Sequence, residues 1–122
     1  MAEMDERYII LLRPDGDHET RQVAEEGPTL KELQEAVGGH IETVPSVLAD
    51  EWTGEPGGKV IMVINEEGKL KGLPVNTTAT LLSQLLFDNI VGNAVLCEAK
   101  GEDILGFTRA AAGMIRRQWK LY

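Results

Sequence analysis

Five apolar side chains run unbroken through RYIILLR at residues 7–13, and five more through KVIMVIN at 59–65. Runs this short, rich in β-branched and aromatic residues, predict buried strands. The second run predicts a central strand covered on both faces. PDGD at 14–17 supplies turn residues, and the looser alternation of ETRQVAE at 19–25 predicts a half-solvated strand, so the two segments form a hairpin. After the break at EEGP, the stretch TLKELQEAVGG at 29–39 predicts a helix: Thr29 caps it, Glu32 completes a capping box, and Gly38 and Gly39 end it. Leu30, Leu33 and Val37 fall on one face and are expected inward. HIETV at 40–44 predicts a short strand closed by Pro45.

LADEWTGEPGG at 48–58 has no periodicity and predicts a long loop carrying Trp52, either as a lid over the core or as a stacking residue. EEG at 66–68 predicts a turn, and KLKGL at 69–73 a return strand. In LPVNTTATLLSQLLF, Asn76 is an N-cap, and Leu81, Leu82, Leu85 and Leu86 recur with helical spacing. IVGNAVLCEA at 90–99 predicts a strand bent at Gly92 and Asn93, and KGED at 100–103 a turn into a last helix capped by Thr108. The order is ββαβββαβα. Helices and strands do not alternate regularly, so the expectation is one α+β domain over 1–122 with a mixed or mostly antiparallel sheet.

Charge changes the picture more than composition does. The chain has 122 residues and net charge −8. All 20 acids lie at or before Asp103, together with 8 of the 12 basic residues, a balance of −12. Residues 104–122 carry Arg109, Arg116, Arg117 and Lys120 and no acid. This basic C-terminal helix is expected to be an oligomer or ligand contact. On it, Ala111, Met114, Ile115, Gln118 and Tyr122 predict the packing face, and Arg109, Gly113, Arg116, Arg117 and Lys120 follow a stripe on the other side. The helix dipole favours cations in the last turn but opposes Arg109 in the first, so Arg109 needs a partner.

Chemistry is sparse. A single cysteine, Cys97, excludes an internal disulfide and a cysteine zinc cluster, and lies in an apolar strand as an inert thiol. His18 and His40 form no metal-binding pair, no nucleophile has a placed base, and no phosphate loop is present. The reading is a non-enzymatic protein without cofactor or metal. A pI near 4.7 argues against general nucleic-acid affinity, and no apolar run is long enough for a membrane span, so a cytoplasmic protein is expected.

The stretches LKELQEAVGGHIETV, VINEEGKLKGLPVNTTAT and NIVGNAVL resemble the landmarks of a small domain family of unknown function, common in bacteriophages, mobile elements and bacteria that carry them. The resemblance covers 10–97. It implies a phage or mobile-element origin, hence a host-cell cytoplasmic location, and a compact α+β fold; it implies no activity. The Trp52 loop and the basic tail lie outside the landmarks and are expected to be additions. Within GLPVN, Asn76 has two readings: a structural cap, or part of a helix start that receives an anion. Three functional classes stay open. One is a binding protein that sequesters an anionic, nucleotide-derived signal of host immunity, using Arg109, Arg116, Arg117, Lys120, Asn76 and Trp52. The second is an acidic adaptor or inhibitor of a host protein, as a nucleic-acid mimic. The third is a stripe that only pairs with a second subunit. The charge division and the apolar C-terminal end predict a homo-oligomer.

Overall fold

Both faces of strand β1 (Arg7–Leu12) are apolar because both are covered. Ile10 and Leu12 point into one core and Ile9 and Leu11 into another, as alternation along a strand requires. The computed structural model describes residues 6–48, 57–83 and 88–118. Around β1 it builds an antiparallel sheet from β2 (His18–Val23), β3 (Ile41–Pro45), β4 (Lys59–Asn65), β5 (Ala94–Lys100) and β6 (Asp103–Leu105). Helices α1 (Leu30–Val37), α2 (Thr77–Leu82) and α3 (Arg109–Gln118) complete the domain.

The strand order is β2-β1-β5-β4-β3, with β6 paired to the second half of β5. Register places Ile10 opposite Leu96, Leu96 opposite Met62 and Met62 opposite Val44, a continuous apolar row across the sheet. This row belongs to the core under α2 and α3, which also takes Phe107, Ala111, Ala112 and Ile115. On the opposite face, Ile9, Leu11, Val63, Val95 and Cys97 pack with Leu33, Ala36 and Val37 of α1. The uninterrupted apolar runs of β1 and β4 therefore reflect a sheet enclosed between helices, as expected of strands buried on both faces.

Local signals set the helix starts. Thr29 Oγ1 accepts from the Glu32 N–H at 3.0 Å and Glu32 Oε1 accepts from the Thr29 N–H at 2.9 Å, a closed capping box. Gly38, at φ 82°, ends α1 in the left-handed conformation. Thr108 Oγ1 accepts from the Ala111 N–H at 3.1 Å and starts α3.

The α+β class, the single domain, the six strands and the three helices agree with the sequence, but one strand changes place. Residues 69–73 are a run of turns, with Lys71 N–H on Glu67 O, Gly72 N–H on Lys69 O and Leu73 N–H on Gly68 O. The alternating KLKGL pattern imitates a strand, but Leu70 points into solvent at 87% exposure and only Leu73 is anchored. The strand not foreseen is β6, so the order runs ββαββαββα, and the C-terminal helix begins at Arg109, directly after the expected cap Thr108.

Other inward faces rotate. Leu30 is exposed, and Ala36 takes the expected place beside Leu33 and Val37. Leu81 is exposed while Leu82 is buried; Leu85 and Leu86 lie outside the described residues. On α3, Ala111, Ala112 and Ile115 are buried, whereas Met114 and Gln118 are exposed and Tyr122 lies outside the described residues. Ala111, Ala112 and Ile115 are thus the residues that α3 gives to the core.

Cys97 is wholly buried, and burial pushes its thiol up to about 12, because the thiolate has no hydration inside the core. In the folded protein it should resist a thiol reagent at pH 8 and react fully once urea unfolds the chain. Labelling at the native rate of an exposed thiol would contradict this burial.

Candidate functional site

The basic helix and the first hairpin meet at one cleft. Alternation puts Tyr8 of β1 and Thr20 of β2 on the sheet face that α3 covers, and the pairing of Ile10 with Thr20 sets them side by side. Across from them, Arg109 and Arg116 lie two turns apart on α3, with Ala112 between. Tyr8, Thr20, Arg109, Ala112 and Arg116 line an open cleft of about 240 Å³. The end of α3 is tied to β1 by reciprocal backbone bonds between Tyr8 and Phe107, at 2.8 and 2.6 Å. Gly106 permits that approach: a Cβ there would lie 2.9 Å from the Tyr8 nitrogen.

Arg109 has the partner its position demands. Its Nη2 donates to Glu6 Oε2 at 2.5 Å and to Tyr8 Oη at 3.0 Å, and its guanidinium carbon lies 5.9 Å from the Tyr8 ring centroid. The Tyr8 hydroxyl donates to the same Glu6 oxygen at 2.6 Å. The Tyr8 hydrogen bond, then Arg109, holds the Glu6 carboxyl below the usual range; Tyr8 and Glu6 in turn raise Arg109. With its side chain 62% exposed, the ion pair is a surface one.

Arg116 and Arg117 differ from Arg109. Arg116 Nη1 donates to the neutral Thr20 Oγ1 at 3.2 Å, and neither residue meets a carboxylate among the described residues. Arg117 stays outside the cleft, its Nη1 3.6 Å from where a Gly113 Cβ would sit. The missing side chain is filled by an arginine from the same helix rather than left as a gap.

The remaining sequence candidates do not join this cleft. Lys120 and Trp52 lie outside the described residues. Asn76 is fully buried on the other helix of that face, its Oδ1 accepting from Ala79 N–H and its Nδ2 donating to Leu12 O and Gly92 O. Its amide is spent inside the fold, which fits the structural cap and removes it as a contact for a bound ligand.

Residues from the stretches 30–44, 63–80 and 89–96 converge instead on the C-terminal end of α1. Asn65 and Asn93 donate to the Val37 and Ala36 carbonyls, both at 3.0 Å, capturing acceptors that a helix end leaves without partners. Leu73 covers Gly92, whose Cβ would lie 2.7 Å from Leu73 Cδ1. Two further hollows flank this corner. One, of about 300 Å³, runs between Pro14, Val37, Leu73 and Pro74. The other, of about 280 Å³, has Glu42, Glu66 and Asp88 at its rim, with Asp88 paired to Lys69.

Tyr8, Thr20 and Glu6 escaped sequence reading. Tyr8 belongs to the apolar run of β1, and the one signal in the sequence is its phenol in phase with Ile10 and Leu12. Glu98 also escaped: it is a fully buried carboxylate in β5, in phase with Ala94 and Leu96, opposite Val60 and Leu105.

An open antiparallel sheet between helices, with a cationic helix face over its first hairpin, defines a small α+β domain. The chain belongs to the family described as Domain of unknown function (DUF3846), whose profile matches residues 4–120. That span takes in Trp52 and the tail as far as Lys120, so both fall within the matched range. No curated protein and no solved structure matches the chain. No helix among the described residues is long and apolar enough to cross a membrane.

Proposed function

We propose that this protein is a non-catalytic binding domain that holds an anionic small molecule against its basic helix. One observation carries the reading: Arg109 and Arg116 of α3 line a single cleft with the Tyr8 phenol and the Thr20 hydroxyl. Hydrogen bonds from arginine to an anion are charge-assisted and directional, so two guanidiniums beside two hydroxyls select a charged, oxygen-rich group. Arg116 supports this because its present partner is neutral, so an anion would be a better one. The aromatic ring of Tyr8 and the resemblance to phage domains favour a nucleotide-derived ligand. In that reading the protein works by stoichiometric sequestration of a host immune signal.

The test begins with protein purified from the cell that expresses it. Absorbance near 260 nm and native mass spectrometry should reveal a bound small anion, released on denaturation. Arg116→Glu should lose that mass and keep its melting temperature, since Arg116 is exposed. A ligand-free wild type that instead captures one host protein through its acidic body would replace this reading with the adaptor. A ligand retained by Arg116→Glu would place the site elsewhere.

A further inference from the structure

A single carboxylate oxygen already sits where a bound anion would place one of its own. Glu6 Oε2 receives the Tyr8 hydroxyl at 2.6 Å and the Arg109 guanidinium at 2.5 Å, and both donors line the cleft. Across that cleft, Thr20 and Arg116 form a second pair of polar groups, bonded only to each other among the described residues. Glu6 precedes the first paired residue of β1, so its side chain can swing away without breaking a ladder bond. The contacts it would give up are the Tyr8 hydrogen bond and an ion pair to the exposed Arg109, both of which the ligand's own oxygens would replace.

We propose that the cleft is a phosphate-monoester site and that Glu6 is its internal occupant, displaced when the ligand phosphate takes over Tyr8 and Arg109 and gains Thr20 and Arg116. This rests on the anion-binding reading and names the group that is bound. Geometry favours phosphate over carboxylate. A carboxylate is planar with two oxygens and one charge, which is what Glu6 already supplies. A phosphate monoester has three terminal oxygens in a tetrahedral array and carries between one and two negative charges at pH 7. It can accept from the two sides of a cleft at once and balance two guanidiniums. While Glu6 remains, its charge repels an incoming anion, so the resting protein is held at reduced affinity.

The experiment is calorimetric titration with adenosine 5′-monophosphate, inorganic phosphate and adenosine. The proteins are wild type, Glu6→Gln, Arg116→Glu, and Glu6→Gln with Tyr8→Phe, each checked for an unchanged thermal transition. Glu6→Gln removes the competing charge and keeps the side-chain shape. It should bind adenosine 5′-monophosphate about tenfold more tightly than wild type, the scale of one like-charge contact removed. Adding Tyr8→Phe should reverse part of that gain, Arg116→Glu should not bind, and adenosine should not bind to any of them. Inorganic phosphate binding as well as the nucleotide would assign recognition to the phosphate alone; tighter nucleotide binding would add the nucleoside. Equal affinity of Glu6→Gln and wild type, with Arg116→Glu still defective, overturns the occupant while leaving the anion reading standing. Failure of every variant to bind either phosphate overturns the site; the anion reading itself falls only if the purified protein also carries no ligand.

Discussion

Replacing Asn76 with alanine should destabilise the protein by about 3 kcal/mol or more, well beyond the ~0.5–2 kcal/mol of an ordinary N-cap. The difference comes from where the side chain sits. Its oxygen caps α2 through the Ala79 N–H, at 3.0 Å. Its Nδ2 donates to Leu12 O of β1 at 3.0 Å and to Gly92 O, in the bend before β5, at 2.9 Å. Alanine would strand one donor and two acceptors in a site with no solvent access. Each buried partner left without a hydrogen bond costs ~1–3 kcal/mol, and the small cavity is too tight to repair all three with water. Urea midpoints measure the loss. Thr29→Ala is the internal control: it breaks an exposed capping box and should cost about 1 kcal/mol. Asn76→Asp should be nearly as harmful as alanine, because it keeps the capping oxygen but turns a carboxylate toward two carbonyls. Equal midpoints for Asn76→Ala and Thr29→Ala would mean that the ties to β1 and the bend carry no energy.

Gly27→Ala should cost about 2–4 kcal/mol, for two reasons that a second glycine separates. Gly27 sits at φ 107°, a conformation that disfavours side chains. It also presses on β6: a Cβ there would lie 2.2 Å from the Ile104 carbonyl oxygen. That oxygen is backbone and cannot swing aside, so the strand itself must move. Gly38, at φ 82°, has nothing within 4 Å of the same position, so Gly38→Ala isolates the conformational part at ~1 kcal/mol. Thermal or urea unfolding should rank Gly27→Ala clearly below Gly38→Ala. Similar losses at the two sites would show that β6 is loosely held.

The contact of Gly27 with β6 also bears on the candidate site. From β6 the chain passes through Gly106 to Phe107, and Phe107 bonds to Tyr8 in both directions. The position of α3 over Tyr8 and Thr20 is therefore set through the same short strand. β6 leaves no mark in the sequence, because DIL is too brief to show a period and its pairing partner is set only once β5 is placed.

The sequence by itself determined the elements whose signals are local. Thr29 with Glu32, Asn76 and Thr108 start helices through bonds within four residues, and each is present as expected. The apolar run of β4 declared burial on two faces, and the irregular alternation of helices and strands pointed to the α+β class. The division of charge singled out α3, though not what α3 faces. Only the tertiary structure decided contacts between segments far apart in the chain. The hairpin register decides that Tyr8 and Thr20 share a face, and sheet order decides that α3 lies over them. Arg109 meets Glu6 from 103 positions away, and Arg116 meets Thr20 from 96. On α3 the inward face includes Ala112 while Met114 and Gln118 are exposed, an orientation that packing on the sheet decided. At 69–73 the polar–apolar pattern was that of a strand, yet the chain closed into turns through its own backbone hydrogen bonds.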